Sequence, residues 1–209
     1  MTTIINIARA SGIFQMFIFY FGYLFTFNID LLIFLIGNFL NWEINSFLKY
    51  KVLSPIFGKN DIPLLGKGIR PNGAKNCGWF LKKKTTYHKY PNSYGMPSGH
   101  SQGVAFFSTL GILYLLNNNK NNKNNKKIII MIGCLILTCF TLFVMYSRVL
   151  FKCHTIEQTI IGSLIGIFLA TTLFKHKTQI KTKIKKYKNY ELILFIIATI
   201  VLTYIIFLK

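Results

Sequence analysis

An all-α bundle of about six membrane-spanning helices is the fold this sequence predicts, and three observations predict it. Of 209 residues, 52% are hydrophobic and 16% aromatic, with a mean hydropathy of +0.43. The apolar residues gather into runs at about 12–27, 29–50, 98–116, 128–146, 155–174 and 190–208. Charge is pushed between the runs, with 25 Lys+Arg against 5 Asp+Glu and a net charge of +20. About 20 helical residues cross a hydrocarbon core ~30 Å thick, so the runs are near the length of a span. A backbone in lipid must satisfy its own hydrogen bonds, which leaves a helical bundle as the architecture. Residues 1–209 read as a single membrane-embedded domain. High basicity alone would suggest nucleic acid, but here the lysines flank apolar runs, and no nucleic-acid partner is expected.

The first run follows Arg9, and no small-x-small cleavage site comes after it, so it reads as a retained anchor helix. The second run carries Asn38, Asn41, Asn45 and Lys49 at spacings of 3, 4 and 4, one face of a helix. Polar groups facing lipid are costly, so that face should look into the bundle or a wet cavity; interhelical hydrogen bonding is the plainer reading. The loop from Lys51 to Pro97 is basic, with Lys59, Lys67, Arg70, Lys75, Lys82, Lys83, Lys84 and Lys89. The third run opens on Met96-Pro97-Ser98-Gly99-His100-Ser101. Residues 117–127, NNNKNNKNNKK, form a low-complexity linker before the fourth run. The fifth run follows Ser147–His154 and ends in a basic segment, Lys175–Lys188, suited to anionic lipid head groups.

Six alternating spans put both termini, the long loop and Ser147–His154 on one face. The 25 cations then divide 14 to 11 between this face and the other, which does not fix orientation. Discounting long-loop cations that bind substrate puts the Asn-Lys linker in the cytosol and the first face in a lumen. Four cysteines, with no C-x-x-C spacing, make no metal site; a Cys77–Cys153 bridge is open to the chain only where that face is oxidising.

Three patches fall on the first face: Ile69–Pro71, Met96–Ser101 and Ser147–Gln158. A helix starting near Pro97 leaves free N–H groups and the positive end of its dipole, and glycine lets an anion approach the backbone. Arg70 and Arg148 are two of three arginines beside 22 lysines, and a planar guanidinium binds two phosphate oxygens at once. His100 and His154 supply two imidazoles, one to attack phosphorus and one to protonate a leaving oxygen. Glu157 and Gln158 lie three and four residues beyond His154, on its face of a helix, where either can orient the ring.

The series Arg-Pro, Pro-Ser-Gly-His and Ser-Arg-x5-His resembles the signature of the type 2 phosphatidic acid phosphatase superfamily. The resemblance spans residues 38–166. It implies a six-helix lipid phosphatase that needs no metal or cofactor. Arg70, Ser98, Gly99 and Arg148 would hold phosphate, His154 would form a phosphohistidine, and His100 would protonate the leaving oxygen. Two positions depart from the pattern. Pro63 stands seven before Arg70, where the family has Lys. Lys49 is the preferred substitute, since Asn45–Lys49 resembles the Asn-x3-Lys helix end of many members; Lys67 is the alternative, and Lys51 and Lys59 stay open. Gln158 replaces the usual Asp, and Ser147–Gln158 is similar to the dolichyldiphosphatase branch.

The expected function is therefore hydrolysis of a polyprenyl (dolichyl-type) diphosphate in an endomembrane such as the endoplasmic reticulum. General phosphatidate or lysophosphatidate phosphatase activity is the alternative, and a non-catalytic lipid-binding scaffold is the alternative of another class. A third reading recruits anionic partners through Lys175–Lys188. Soluble vanadate haloperoxidases share the resembling site, but the apolar spans argue against one.

Overall fold

A computed structural model describes residues 2–57, 60–63, 65–74, 77–78, 94–118, 125–187 and 189–207. Six long helices fall on the six apolar runs: α1 (Thr2–Thr26), α2 (Ile29–Phe47), α4 (Gly99–Asn118), α5 (Asn125–Leu150), α6 (Ile156–Lys186) and α7 (Tyr190–Phe207). Between α2 and α4 come a π-helical segment (Leu48–Leu53), the short helix α3 (Ser54–Phe57) and a two-stranded ribbon, β1 (Asp61–Ile62) with β2 (Gly66–Lys67). The protein is an all-α polytopic membrane bundle.

Four of the six are both long and apolar enough to cross a membrane: Asn6–Thr26, Ile29–Phe57, Lys127–Leu150 and Ile156–Lys186. The helix α4 misses that standard because its first half carries His100, Ser101, Gln102 and Ser108, all buried. Packed against α1, α2, α5 and α6, it does not need a lipid-compatible surface. The apolar part of α7, Tyr190–Tyr204, is a shorter helix. The outer face of α5 is the reverse of a soluble helix, with Ile129, Met131, Leu135 and Ile136 all exposed. Such a surface is stable against hydrocarbon, where water-facing polarity has no value.

A tight turn joins α1 to α2. Asn28 caps α2 by accepting the Asp30 N–H at 3.0 Å, which satisfies one of the orphan donors of the first turn. Met16 and Phe19 of α1, Phe34 and Leu35 of α2, Phe106 and Leu110 of α4, and Ala170 of α6 form the common core. The closest approach is between α4 and α6. A Cβ added at Gly162 would lie 2.5 Å from the Ser98 carbonyl oxygen, and one at Gly166 would overlap the Gln102 carbonyl. Small residues four apart let the two backbones touch, the usual solution where lipid supplies no hydrophobic drive.

Two helices extend beyond the apolar runs that mark them. The first helix starts ten residues earlier than the apolar run, and its polar residues Arg9 and Ser11 are buried, 7% and 2% exposed. The helix α6 continues through Lys186, past the end of its apolar run near residue 174. No Gly or Pro interrupts Lys175–Lys186, and Lys177 and Lys181, one turn apart, both meet Asp30 of α2, at 3.5 and 2.8 Å. That ion cluster, with Tyr23 donating to Glu191 at 2.8 Å, marks the end of the bundle away from Arg9. The linker residues 119–124 and the loop lysines 59, 75, 82–84 and 89 lie outside the described residues.

Candidate active site

The geometry is clearest at His154. The peptide N–H groups of Cys153 and His154 both donate to the Arg148 carbonyl, at 2.9 and 3.2 Å, so the end of α5 curls back on itself. Thr155 then caps α6 by accepting the Gln158 N–H at 3.3 Å. This cap puts Gln158 one turn into the helix, beneath the imidazole. Its amide is pinned: Nε2 donates to the carbonyls of Lys67 and Ile69, at 2.7 and 2.9 Å. The remaining atom, Oε1, is 3.0 Å from Nδ1 of His154 and can only accept. The ring therefore carries its proton on Nδ1 and its lone pair on Nε2. A guanidinium has no acceptor, so the 3.1 Å contact of Arg70 Nη1 with Nε2 agrees with that tautomer.

Burial, and then the charges of Arg70, Lys49 and Arg148, hold His154 well below the ordinary histidine value of 6.5, although the Gln158 bond opposes them. The ring is neutral in neutral solution. An unprotonated imidazole nitrogen beside three cations is what an anionic electrophile would meet.

His100 sits in the first turn of α4, fully within the protein. Its ring hydrogen-bonds to the Arg9 main chain, and Nε2 is buried without a hydrogen-bond partner among the described residues. Trp42 stands edge-on to it, with centroids 6.2 Å apart. Lys49, Arg70 and Arg148 act electrostatically on both histidines, so the two imidazoles and three cations share one site. Arg148 is 1% exposed and donates from Nη2 to the Cys77 carbonyl at 3.3 Å; Arg70 donates from Nη1 to the Cys153 carbonyl at 2.8 Å.

Of the lysines proposed for the missing first motif, Lys49 is buried at the start of the π-helical segment, where one turn widens and the helix phase shifts. Lys51 and Lys67 are exposed, and Lys67 joins the site through its carbonyl alone. Ser98 is buried and accepts from the Ser101 hydroxyl at 3.0 Å, while its own N–H donates to the Gln158 carbonyl at 3.0 Å. Gly99 meets Asn45 so closely that an added Cβ would stand 3.0 Å from Oδ1. Glu157 lies against Gly66 of β2, with an added Gly66 Cβ 3.2 Å from its carboxyl carbon, so Gln158 is the residue that meets the imidazole.

The asparagine stripe of α2 has a specific task. Asn45 Nδ2 donates to Gln102 Oε1 at 2.7 Å, and Gln102 Nε2 donates to both the main-chain and side-chain oxygens of Asn41, each at 2.9 Å. Asn41 and Asn45 thus hold the helix that carries His100, and Lys49, the last residue of the stripe, reaches the charged cluster. Gln102 completes the network and was not singled out from sequence as a site residue. Arg9 was also missed: its Nε donates to the Gly78 carbonyl at 3.1 Å. The three arginines of this chain therefore meet at one end of the bundle. A third missed element is Tyr94, whose ring lies over Gly68 and whose hydroxyl donates to the Leu53 carbonyl at 3.1 Å. With the Gly95 N–H on the Gly68 carbonyl at 2.7 Å, it joins the segment before Arg70 to the segment before Ser98.

Among the described residues, no group of three or more His, Cys, Asp or Glu side chains could hold a metal ion. The arrangement suits an oxyanion: guanidinium and ammonium charge around a helix start, with an unprotonated imidazole nitrogen on one side.

The sequence model of the PAP2 superfamily matches residues 44–183, about two thirds of the chain. A protein of Dictyostelium discoideum named dolichyldiphosphatase 1 is 43% identical over 98 residues, which is 44% of this chain and 42% of that one. Proteins of the same name from Rhinolophus ferrumequinum and Homo sapiens are 34% and 32% identical over 95 residues, 43% of this chain and 39% of each relative. The chain thus spans about four tenths of the length of these curated relatives. No solved structure matches it.

Proposed function

The chain belongs to the PAP2 superfamily, and from that premise we propose that it hydrolyses a lipid phosphate, a polyprenyl (dolichyl-type) diphosphate, at the surface of its membrane. The observation that carries the reading is the pair of bonds on His154: Nδ1 faces a pinned acceptor in Gln158, and Nε2 faces the Arg70 guanidinium. The similarity to proteins named dolichyldiphosphatase 1 supports the substrate branch.

In this mechanism the substrate's terminal phosphate enters between Arg70, Arg148, Lys49 and the start of α4. Its equatorial oxygens take guanidinium N–H groups, which hold the charge that spreads over them in the transition state. Nε2 of His154 attacks phosphorus in line with the bridging oxygen. The P–N bond forms as the P–O bond breaks, and His100, which takes up a proton as the entering phosphate's negative charge offsets the surrounding cations, gives it to the departing lipid phosphate. Water then attacks the phosphohistidine, His100 takes its proton, and inorganic phosphate leaves. Each step balances with water as the only co-reactant, and no metal is required.

The site face is proposed to be luminal, in an endomembrane of the endoplasmic-reticulum type. The bonded pair Cys77–Cys153 supports this, since such bridges persist in oxidising compartments. The opposite end would then be cytosolic, where Lys175, Lys183, Lys185 and Lys186, all exposed, suit an anionic leaflet. The testing experiment is a substrate panel with the purified protein in detergent micelles. Phosphate release fastest from dolichyl diphosphate, over dolichyl monophosphate, phosphatidate and lysophosphatidate, is expected. Preference for phosphatidate would replace the substrate class, and release from none would leave the non-catalytic scaffold.

A further inference from the structure

We infer that the Cys77–Cys153 disulfide is a positioning element for the phosphate-binding arginines, acting through the carbonyl groups of its own two residues. The two half-cystines are 76 residues apart in sequence and both are buried. The Cys77 carbonyl receives Arg148, and the Cys153 carbonyl receives Arg70. The next carbonyl in the loop, that of Gly78, receives Arg9. One covalent bridge therefore fixes two short pieces of backbone, and each of the three arginines in the chain donates to one of those pieces.

The chemistry of the acceptors matters. A carboxylate would orient a guanidinium but would also cancel its charge, weakening its hold on an anion. A carbonyl orients it and leaves the charge in place. Each guanidinium has five N–H donors in a fixed fork, so it can bind a carbonyl and phosphate oxygens at the same time. A buried guanidinium also needs its acceptor to stay put, since an unmet buried charge is costly. Cys153 lies in the turn fixed by the Arg148 carbonyl, but Cys77 lies in the long loop between Arg70 and Tyr94. The bridge is what ties that loop carbonyl to the turn carrying His154. The pairing of His154 with Gln158 uses none of these atoms. Breaking the bridge should accordingly loosen phosphate binding more than it slows the chemical step.

The inference rests on reading Arg70 and Arg148 as phosphate ligands. It is tested with the full-length protein, oxidised, reduced with a phosphine and reoxidised, alongside the Cys77→Ser and Cys153→Ser variants. Alkylation and mass measurement without reduction should label two of the four cysteines, Cys134 and Cys139, which are free. Binding of inorganic phosphate, read as a thermal shift against concentration, should weaken by about tenfold on reduction, the loss expected for a misplaced charged hydrogen bond. It should recover on reoxidation, which keeps the test valid if a serine variant fails to fold. With lipid substrate, KM should rise by a similar factor while kcat stays within about threefold, since binding and not the transition state alone is affected. A Cys134→Ser/Cys139→Ser protein should respond to reductant as the unaltered protein does. Four alkylated cysteines before reduction, or unchanged phosphate affinity and KM after it, would overturn the inference. Redox-dependent phosphate binding without turnover of any lipid would uphold it and remove the proposed reaction instead.

Discussion

Gln158 Oε1 lies 3.0 Å from Nδ1 of His154, while the same amide gives both of its N–H groups to the carbonyls of Lys67 and Ile69. The amide cannot turn over without losing two hydrogen bonds and setting N–H against N–H. Gln158 thus fixes the imidazole tautomer without a charge, a task usually given to a carboxylate.

Replacing that amide with a carboxylate should be harmful. In Gln158→Glu the two carbonyls would face an anionic oxygen, and the segment leading to Arg70 would be pushed away. Turnover is expected to fall by at least about tenfold, as for other changes to a residue that orients a catalytic histidine. The pH profile should move too. In the unaltered protein the depressed His154 stays neutral as pH falls through 6.5, so the acid limb lies well below that value. A carboxylate partner favours the imidazolium, raises the pKa and moves the limb to higher pH. Rates from pH 4 to 8 on one substrate, roughly the range around the reference histidine pKa, compare the two proteins with substrate ionisation held common.

Exchange of either cage arginine for lysine tests bidentate binding. Arg70→Lys and Arg148→Lys keep the charge but lose the planar fork, and KM should rise by about tenfold or more in each. Steady-state kinetics on the preferred lipid phosphate give the answer. A KM within error of the unaltered protein would remove that arginine from the phosphate site.

Lys49 and Lys67 separate cleanly. The first is buried beside the site and the second is exposed. Lys49→Ala should lower kcat/KM by about a hundredfold, the scale of losing one buried charge on the transferring phosphoryl group. Lys67→Ala should leave it nearly unchanged, because only its carbonyl is used. The reverse pattern would transfer the motif-one role to Lys67.

The helix contact behind the site has no room. Gly162→Ala sets a methyl group 2.5 Å from the Ser98 carbonyl oxygen, and backbone must move to admit it. Destabilisation of about 1–3 kcal/mol is expected, the usual cost of overpacking. Because Ser98 begins the His100 helix, kcat should fall with it. Thermal denaturation in micelles and turnover at low temperature measure the two effects.

The residues proposed to carry chemistry were legible because they are local motifs. Arg70, Ser98-Gly99-His100 and Arg148-x5-His154 can each be found in a window of a few residues, and the six apolar runs announce the helices. What joins them was not legible, since it depends on contacts over long separations. Arg9 reaches Gly78 across 69 residues and Asn45 reaches Gln102 across 57. A sequence with no alignment gives no signal for such pairs. The Asn38–Lys49 stripe shows the boundary well. Its spacing revealed that one face of α2 is polar, but only the partner, Gln102, shows that Asn41 and Asn45 secure a helix while Lys49 faces the site. The length of α6 was open for a related reason: its Lys-rich end reads equally as helix or as disordered surface segment until Asp30, far away in sequence, is found beside Lys177 and Lys181.

The most direct measurement is capture of the covalent intermediate. Lipid diphosphate labelled in its terminal phosphate is mixed with the purified protein, quenched in alkali within a turnover, and the labelled peptide is identified. The expected result is acid-labile phosphate on His154 alone, absent in His154→Ala, which should also lose phosphate release in the presence of a chelator. Label on another residue, or full turnover by His154→Ala, would contradict the mechanism.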